Sequence, residues 1–416
     1  MTPTLFAGLF VGLLVLTTAF KLWLSARHTR FVRAHRDAVP GDFAQRISLE
    51  AHHKAADYTV ARARLGRIDI LIGALWVLAL TVGGLLQWLH DAWQAVLTPG
   101  SIAHGSAFLV SIGVLGWAVE LPLSLYRTFV TEARFGFNKM TPALYLADTL
   151  KGGALSALIG IPVIALVLWM MDALGAHWWW AVWLFWLGFN LLALIIWPSF
   201  IAPLFNTFSP LEDAGLRARI EQLLQRCGFR SSGLFVMDGS RRSAHGNAYF
   251  TGFGSSKRIV FFDTLLDTLS PDEVEAVLAH ELGHFSRRHV TKRLAVMALI
   301  VLALLWLLDA LMATTWFHAG LGATVHTTAM TLALFMFALP VFGFFLSPLL
   351  SAWSRQHEFE ADAYAVAHTG PDALASALVK LYRDNASTLT PDPLHSRFYD
   401  SHPPASIRIR HLRGAT

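Results

Sequence analysis

The 416-residue chain has a single cysteine, Cys227. That excludes an intrachain disulfide and a thiolate metal site, so any bound metal must draw on histidine and carboxylate. A lone thiol suits a reducing compartment. Charge is scarce as well. Asp, Glu, Lys and Arg make up 15% of residues, against about a quarter in soluble chains. Hydrophobic residues reach 55%, with 29 Phe and 15 Trp. This balance excludes a string of ordinary soluble domains and makes lipid part of the solvent. The net charge of +5 taken alone would suit nucleic acid or an anionic membrane. The basic residues lie between apolar runs rather than along one stripe, and no nucleic-acid module is present. The lipid bilayer is therefore the expected partner, and nucleic acid is not. No internal repeat or low-complexity linker interrupts the chain. No basic residue precedes the first apolar run, Leu5 to Phe20, while Lys21 to Arg36 follow it. The run lacks the n-region of a signal peptide and reads as a retained transmembrane helix.

About twenty apolar residues suffice for a helix to cross the hydrocarbon. Seven stretches qualify, near 4–24, 68–90, 105–126, 153–173, 177–200, 292–315 and 326–349. Glu120 and Pro122 weaken the end of the third, and the fourth and fifth form a hairpin around Asp172 to His177. The segment 21–67 and the loop 127–151 are rich in Lys and Arg, whereas 91–104, 174–176 and 316–325 contain none. The positive-inside rule puts the basic loops in the cytoplasm, the N-terminus outside and the C-terminus inside. Four regions are expected. Residues 1–200 form a membrane domain of five helices and cytoplasmic loops. Residues 201–291 form a polar cytoplasmic region, 292–349 carry helices six and seven, and 350–416 form a C-terminal cytoplasmic region.

Within 201–291, Pro210 to Cys227 has helical apolar spacing at Leu211, Leu216, Ile220 and Leu223. Gly233 to Asp238, Asn247 to Thr251 and Arg258 to Asp263 read as short strands. Ser270-Pro-Asp-Glu273 has the form of a capping box with Pro at the first helical position. It starts a helix expected to run to about Arg288. A small sheet followed by such a helix is a zincin-like order.

That helix carries His280-Glu-Leu-Gly-His284. Histidines four apart stack on one helical face and can bind one cation. Glu281, one step round, can act on a water polarised by the metal without becoming a ligand. Gly283 removes bulk beside the site. A hydrolytic zinc site needs a third protein ligand, and the run Ser354-Arg-Gln-His-Glu-Phe-Glu-Ala-Asp362 offers one. Glu358 and Asp362 share a face, so Glu358 is the expected ligand and Asp362 the partner of a ligand histidine. Glu360 lies on a different face. On their own, these carboxylates would read as a solvated helix start.

The chain resembles the type I CAAX prenyl proteases, a family of integral-membrane zinc metallopeptidases. The resemblance covers most of the chain. It rests on Phe135-Gly-Phe-Asn138, Ile201-Ala-Pro-Leu-Phe-Asn206, Arg242 to Phe250, Lys257 to Asp263, the HELGH run, the run ending at Asp362, and Ser401-His-Pro-Pro404. It implies a mainly α, polytopic fold, with seven transmembrane helices enclosing a chamber and a small zincin-like α+β domain on the cytoplasmic side. It implies a gluzincin-type zinc metalloendopeptidase, with Zn2+ on His280, His284 and Glu358 and Glu281 as general base. Asp362 matches the acidic residue one turn after the ligand glutamate, and His402 matches a histidine that steadies the oxyanion. Asn247, Ala248 and Tyr249 match an edge strand that pairs with the substrate. His245-Gly246 stands where a Ser is expected before the Asn. The substrate is then a peptide or protein, with or without a prenyl group. The membrane is a bacterial inner membrane or the endoplasmic reticulum, with the site facing the cytoplasm. Two other readings are a quality-control protease with no prenyl requirement, and a non-catalytic metal-binding scaffold or transporter. Arg397, Arg408 and Arg410 could pair with a substrate carboxylate, but lipid phosphate is the expected contact, and Trp178 to Trp180 and Trp183 are expected in an interfacial aromatic belt.

Overall fold

Hydroxyl residues mark where the long apolar helices begin. Thr2, Ser48, Ser101, Thr141 and Thr327 each accept a hydrogen bond from the backbone N–H three residues on, which satisfies a donor that the first helical turn leaves open. In the computed structural model, which describes residues 1–251 and 258–414, the membrane helices of the first half are α1 (Pro3–Ala34), α2 (Leu49–Leu80), α3 (Leu85–Gln94), α4 (Ile102–Tyr126), α5 (Pro142–Ala173) and α6 (Trp178–Ile196). A mixed region follows: β1 (Phe208–Pro210), α7 (Ala214–Arg226), β2 (Leu234–Met237), β3 (Ala248–Thr251), β4 (Arg258–Phe262), α8 (Asp263–Leu266) and α9 (Pro271–Ser286). Then come α10 (His289–Met312), α11 (Thr315–Gly320), α12 (Thr328–Gly343), α13 (Ser347–Thr369), α14 (Pro371–Asp384), α15 (Pro393–Tyr399) and α16 (Ala405–Leu412).

Six helices are long and apolar enough to cross a membrane, and a seventh span results if α2 and α3 count as one. The expected span 68–90 is in fact broken. The chain bends by 51° between α2 and α3, at Gly83-Gly84, where Gly84 takes a left-handed φ of 79° that a side chain would resist. The helices also outrun their apolar stretches. At 1.5 Å per residue the 32 residues of α1 reach about 48 Å, against about 30 Å of hydrocarbon. Most of the basic residues expected in a loop at 21–67 therefore sit on the projecting ends of α1 and α2.

Phe10, Phe108, Trp178, Leu308, Met330 and Leu334 bury a membrane core shared by α1, α4, α6, α10 and α12. Leu75, Leu158 and Leu299 point outward and exposed, as helices dissolved in hydrocarbon require. Trp178 departs from the expected belt. It is 2% exposed and its indole donates to Asp309 at 2.6 Å, so it packs inside, while Trp180 does face out.

The four-stranded sheet has the order β1-β2-β4-β3, with β2 and β4 parallel and β3 antiparallel on the edge. Ile259 and Phe261 of the sheet, Ile220 and Leu223 of α7, and Val274 and Leu278 of α9 form one core. Ala365, Leu378 and Leu412 join that core, so the polar regions on either side of α10–α12 fold as one body. The family-like runs sew it to the membrane helices. Arg242 donates to both Asp148 oxygens at 2.8 and 3.1 Å, to Asn206 at 3.0 Å and to the Phe205 carbonyl. Ala244 donates to the Phe137 carbonyl, and His245 stacks on the Phe137 ring at 4.4 Å. Lys257 lies outside the described residues.

Candidate metal centre

Ser270 and Glu273 close the capping box on both sides. The Glu273 N–H donates to the Ser270 hydroxyl, and the Ser270 N–H to the Glu273 carboxylate at 2.7 Å. The same carboxylate accepts from Ser376 and Lys380 of α14, each at 2.7 Å, which fixes the start of α9. Further along, Gly283 lets α13 lie directly against α9. A Cβ there would come 2.9 Å from Ala361 Cα and 3.0 Å from its carbonyl oxygen, closer than real Cβ contacts allow. This approach brings Glu358 to the two histidines of α9.

The three side chains meet as a triangle. His280 Nε2 is 3.3 Å from His284 Nε2, and the two Glu358 oxygens divide between the rings, Oε2 at 3.5 Å from His280 Nε2 and Oε1 at 3.5 Å from His284 Nε2. A tetrahedral site with metal–ligand bonds of about 2.0–2.1 Å has edges of about 3.3 Å, so the set fits a small cation with a fourth position left for solvent or substrate. Glu358 Oε2 is buried and lacks a hydrogen-bond partner, a cost that a cation in the triangle would remove. His280, His284 and Glu358 are the one group of three or more such ligands among the described residues.

The surroundings hold the triangle in place. His280 Nδ1 is 2.8 Å from Asp362 Oδ1. Asp362 is fully buried and takes a two-pronged bond from Arg408, at 2.9 and 2.5 Å. Arg408 Nη1 is also 3.6 Å from Glu358. Arg408 is thus a buried brace rather than a lipid contact, whereas Arg397 and Arg410 are exposed. His284 Nδ1 faces His289 Nδ1 at 3.0 Å, and His289 Nε2 faces Glu360 at 3.0 Å. Neither His289 nor Glu360 was expected to touch the site from sequence. No helical spacing signals it: a five-residue step falls about 140° from the His284 face, and the contact depends on the turn through Arg288.

Burial pulls the His280 imidazole down, but its hydrogen bonds to Asp362 and Glu358 outweigh that and hold it up at about 9 in the metal-free protein. Burial and the neighbouring His280 charge pull His284 down to about 4. Burial pushes the Glu281 carboxyl up, and among the described residues nothing hydrogen-bonds it. His402 places Nε2 3.4 Å from Glu358 Oε1, with Nδ1 2.9 Å from the Ser401 hydroxyl. Its ring opens onto a cavity of about 950 Å³ that Lys21, Tyr58, Arg62 and Tyr382 also line.

The predicted edge strand borders α9, where Phe250 packs on Phe285 with ring centroids 5.1 Å apart. The Phe262 N–H donates to the Asn247 carbonyl, so alternation turns the Ala248 N–H away from β4. Asn247 Oδ1 accepts that N–H at 2.9 Å. Tyr249 lies on the opposite sheet face, against Phe262 and Met237.

A family described as CAAX prenyl protease N-terminal, five membrane helices, matches residues 28–207, and Peptidase family M48 matches residues 210–416. The chain is 33% identical to the CAAX prenyl protease 1 homolog of Arabidopsis thaliana over 413 residues, covering 97% of this chain and 96% of the relative. It is 33% identical to CAAX prenyl protease 1 of Saccharomyces cerevisiae, covering 96% and 94%. Its fold is similar to the crystal structure of S. mikatae Ste24p, with a TM-score of 0.90 at 32% identity and 98% of each chain covered.

Proposed function

The chain belongs to the CAAX prenyl protease family of M48 metallopeptidases, and on that premise we propose that its metal is zinc, held by His280, His284 and Glu358, and that Glu281 is its general base. The protein is a multi-pass membrane metalloprotease acting on peptide or protein substrates. The observation that carries the site assignment is the convergence of His280 Nε2, His284 Nε2 and the Glu358 carboxylate at 3.3–3.5 Å, with the buried Glu358 Oε2 lacking a hydrogen-bond partner.

When bound, zinc supplies the Lewis acidity that polarises a scissile carbonyl and acidifies water. Glu281 takes the proton of the attacking water and returns it to the leaving amine. Its burial, which raises its affinity for a proton, suits it to that exchange. Asp362 keeps a proton on His280 Nδ1, so that Nε2 stays free to ligate. His402 Nε2, beside Glu358, donates to the developing oxyanion. The outward backbone of Ala248, with Asn247 and Tyr249 on either side, pairs with an extended peptide by strand addition.

The substrate is a prenylated C-terminal peptide, a reading supported by the names of the relatives. The site faces the cytoplasm of a bacterial inner membrane or the endoplasmic reticulum, with the N-terminus outside, in line with the Lys/Arg-poor connections on one side. Main-chain pairing favours a second reading, a general membrane-protein quality-control protease. Purified protein should be given matched peptides with and without a prenyl group, and the products read by mass spectrometry. Cleavage of the prenylated member alone supports the first reading. Equal rates for both support the second, and no cleavage of either contradicts both.

A further inference from the structure

We propose that His289 and Glu360 are positioning residues for the metal: a chain of two hydrogen bonds fixes which nitrogen of His284 is free to ligate. The proposal rests on the reading of His284 as a ligand. His284 Nδ1 and His289 Nδ1 face each other at 3.0 Å, and His289 Nε2 faces Glu360 Oε2 at 3.0 Å. Two ring nitrogens in contact share one proton between them. Glu360 as a carboxylate only accepts, so His289 must hold its proton on Nε2 and donate it there. His289 Nδ1 is then bare and accepts, and the proton between the rings belongs to His284 Nδ1. That leaves His284 Nε2 with a free lone pair, directed at Glu358 and His280. The opposite arrangement sets a bare His289 nitrogen against a carboxylate and puts the His284 proton on the ligating nitrogen.

The parts of the chain are held rigidly. His289 is 2% exposed and opens α10. The turn before it runs through Arg288 at a φ of 55°, and so returns the His289 ring to the last turn of α9. The His357 ring lies flat on His289, centroids 4.0 Å apart and planes 8° apart, with Trp353 behind it at 4.8 Å. Gln356 donates to the other Glu360 oxygen at 3.3 Å, and Lys292 stands 3.9 Å from Oε2. The two ligand histidines are therefore supported differently. His280 leans directly on a carboxylate braced by Arg408, and His284 reaches its carboxylate through the His289 ring. Outer partners of metal-bound histidines typically govern metal affinity by about 10–100-fold.

The test is zinc retention by the full-length protein in detergent, challenged with a graded chelator and read by elemental analysis, with the melting temperature of the metal-free form measured alongside. His289→Leu removes the acceptor and is expected to weaken zinc retention by about 10–100-fold. His289→Gln supplies an amide oxygen that can accept from His284 and is expected to recover part of that loss. Glu360→Ala is expected to weaken retention by several-fold while the metal-free melting temperature holds. Wild-type retention in both His289→Leu and Glu360→Ala overturns the proposal and leaves the ligand set standing. If His289→Leu does not fold, wild-type retention in Glu360→Ala alone overturns it. Failure of the unmutated protein to hold zinc overturns the ligand assignment and this proposal together.

Discussion

Arg408 and Asp362 form a buried, two-pronged ion pair at 2.9 and 2.5 Å, and Asp362 in turn touches the Nδ1 of His280 at 2.8 Å. Both residues are removed from water, with Arg408 5% exposed and Asp362 at 0%. Taking away Arg408 leaves the buried Asp362 charge with His280 as its remaining partner, at a cost of up to about 3–5 kcal/mol. Arg408→Met is therefore expected to lower stability by that amount, as read by denaturation in detergent, and to weaken metal binding as well. Asp362→Asn with Arg408→Met should recover much of the stability and little of the metal affinity.

Gly283 sets the distance between α9 and α13. A methyl group there meets Ala361 backbone atoms at 2.9 and 3.0 Å, and backbone cannot swing aside as a side chain can. Gly283→Ala is expected to cost about 1–3 kcal/mol. It should also reduce zinc retention more than an exposed helix substitution of equal stability cost, because Glu358 rides on the displaced helix. Melting curves with and without zinc measure both effects.

Protonation at the centre has a definite sign. In the metal-free fold His280 is held up at about 9 against an ordinary 6.5, and His284 is pulled down to about 4. The stability His280 contributes is fully present below about pH 6.5 and is lost as pH rises through about 9. Zinc needs both ligating nitrogens bare, so its affinity should rise with pH up to about 9. At pH 7 the two imidazoles together should release about one proton on binding. Calorimetry in two buffers of different ionisation heat counts it, and a count near zero from the pair contradicts this charge state.

The free edge of β3 is testable without touching the metal. The Ala248 N–H points away from β4 and is bonded to its neighbour Asn247. Proline is tolerated on an edge strand where its missing N–H faces outward. Ala248→Pro is expected to raise KM for peptides by about tenfold or more, the loss of a backbone bond at about 1.5 kcal/mol, with zinc content unchanged. Steady-state kinetics and metal analysis together read that outcome.

Local spacing made most of the centre legible. His280 and His284 stack because they are four apart on a capped helix, and Glu358 and Asp362 for the same reason. Residues whose role depends on distant packing were not legible. Arg408 belongs to a basic tail in which nothing local separates it from the exposed Arg397 and Arg410, and only its docking under α13 does so. Glu360 lies two residues, about 200°, round the helix from Glu358. That is why it meets His289 instead of His280. In the fold, β1 (Phe208–Pro210) escaped notice because three residues ending in proline carry no strand pattern; its strand identity comes from pairing with β2. The second span reads as continuous in the sequence because hydropathy does not register a bend, although Gly83-Gly84 marks its position.

In the proposed hydrolysis Glu281 moves the proton and other residues hold the metal. Glu281→Gln keeps the shape and removes the base. Zinc content should equal wild type by elemental analysis, with peptide cleavage lowered by at least about 10²–10⁴-fold. A purified Glu281→Gln protein that cleaves at the wild-type rate contradicts this role of Glu281.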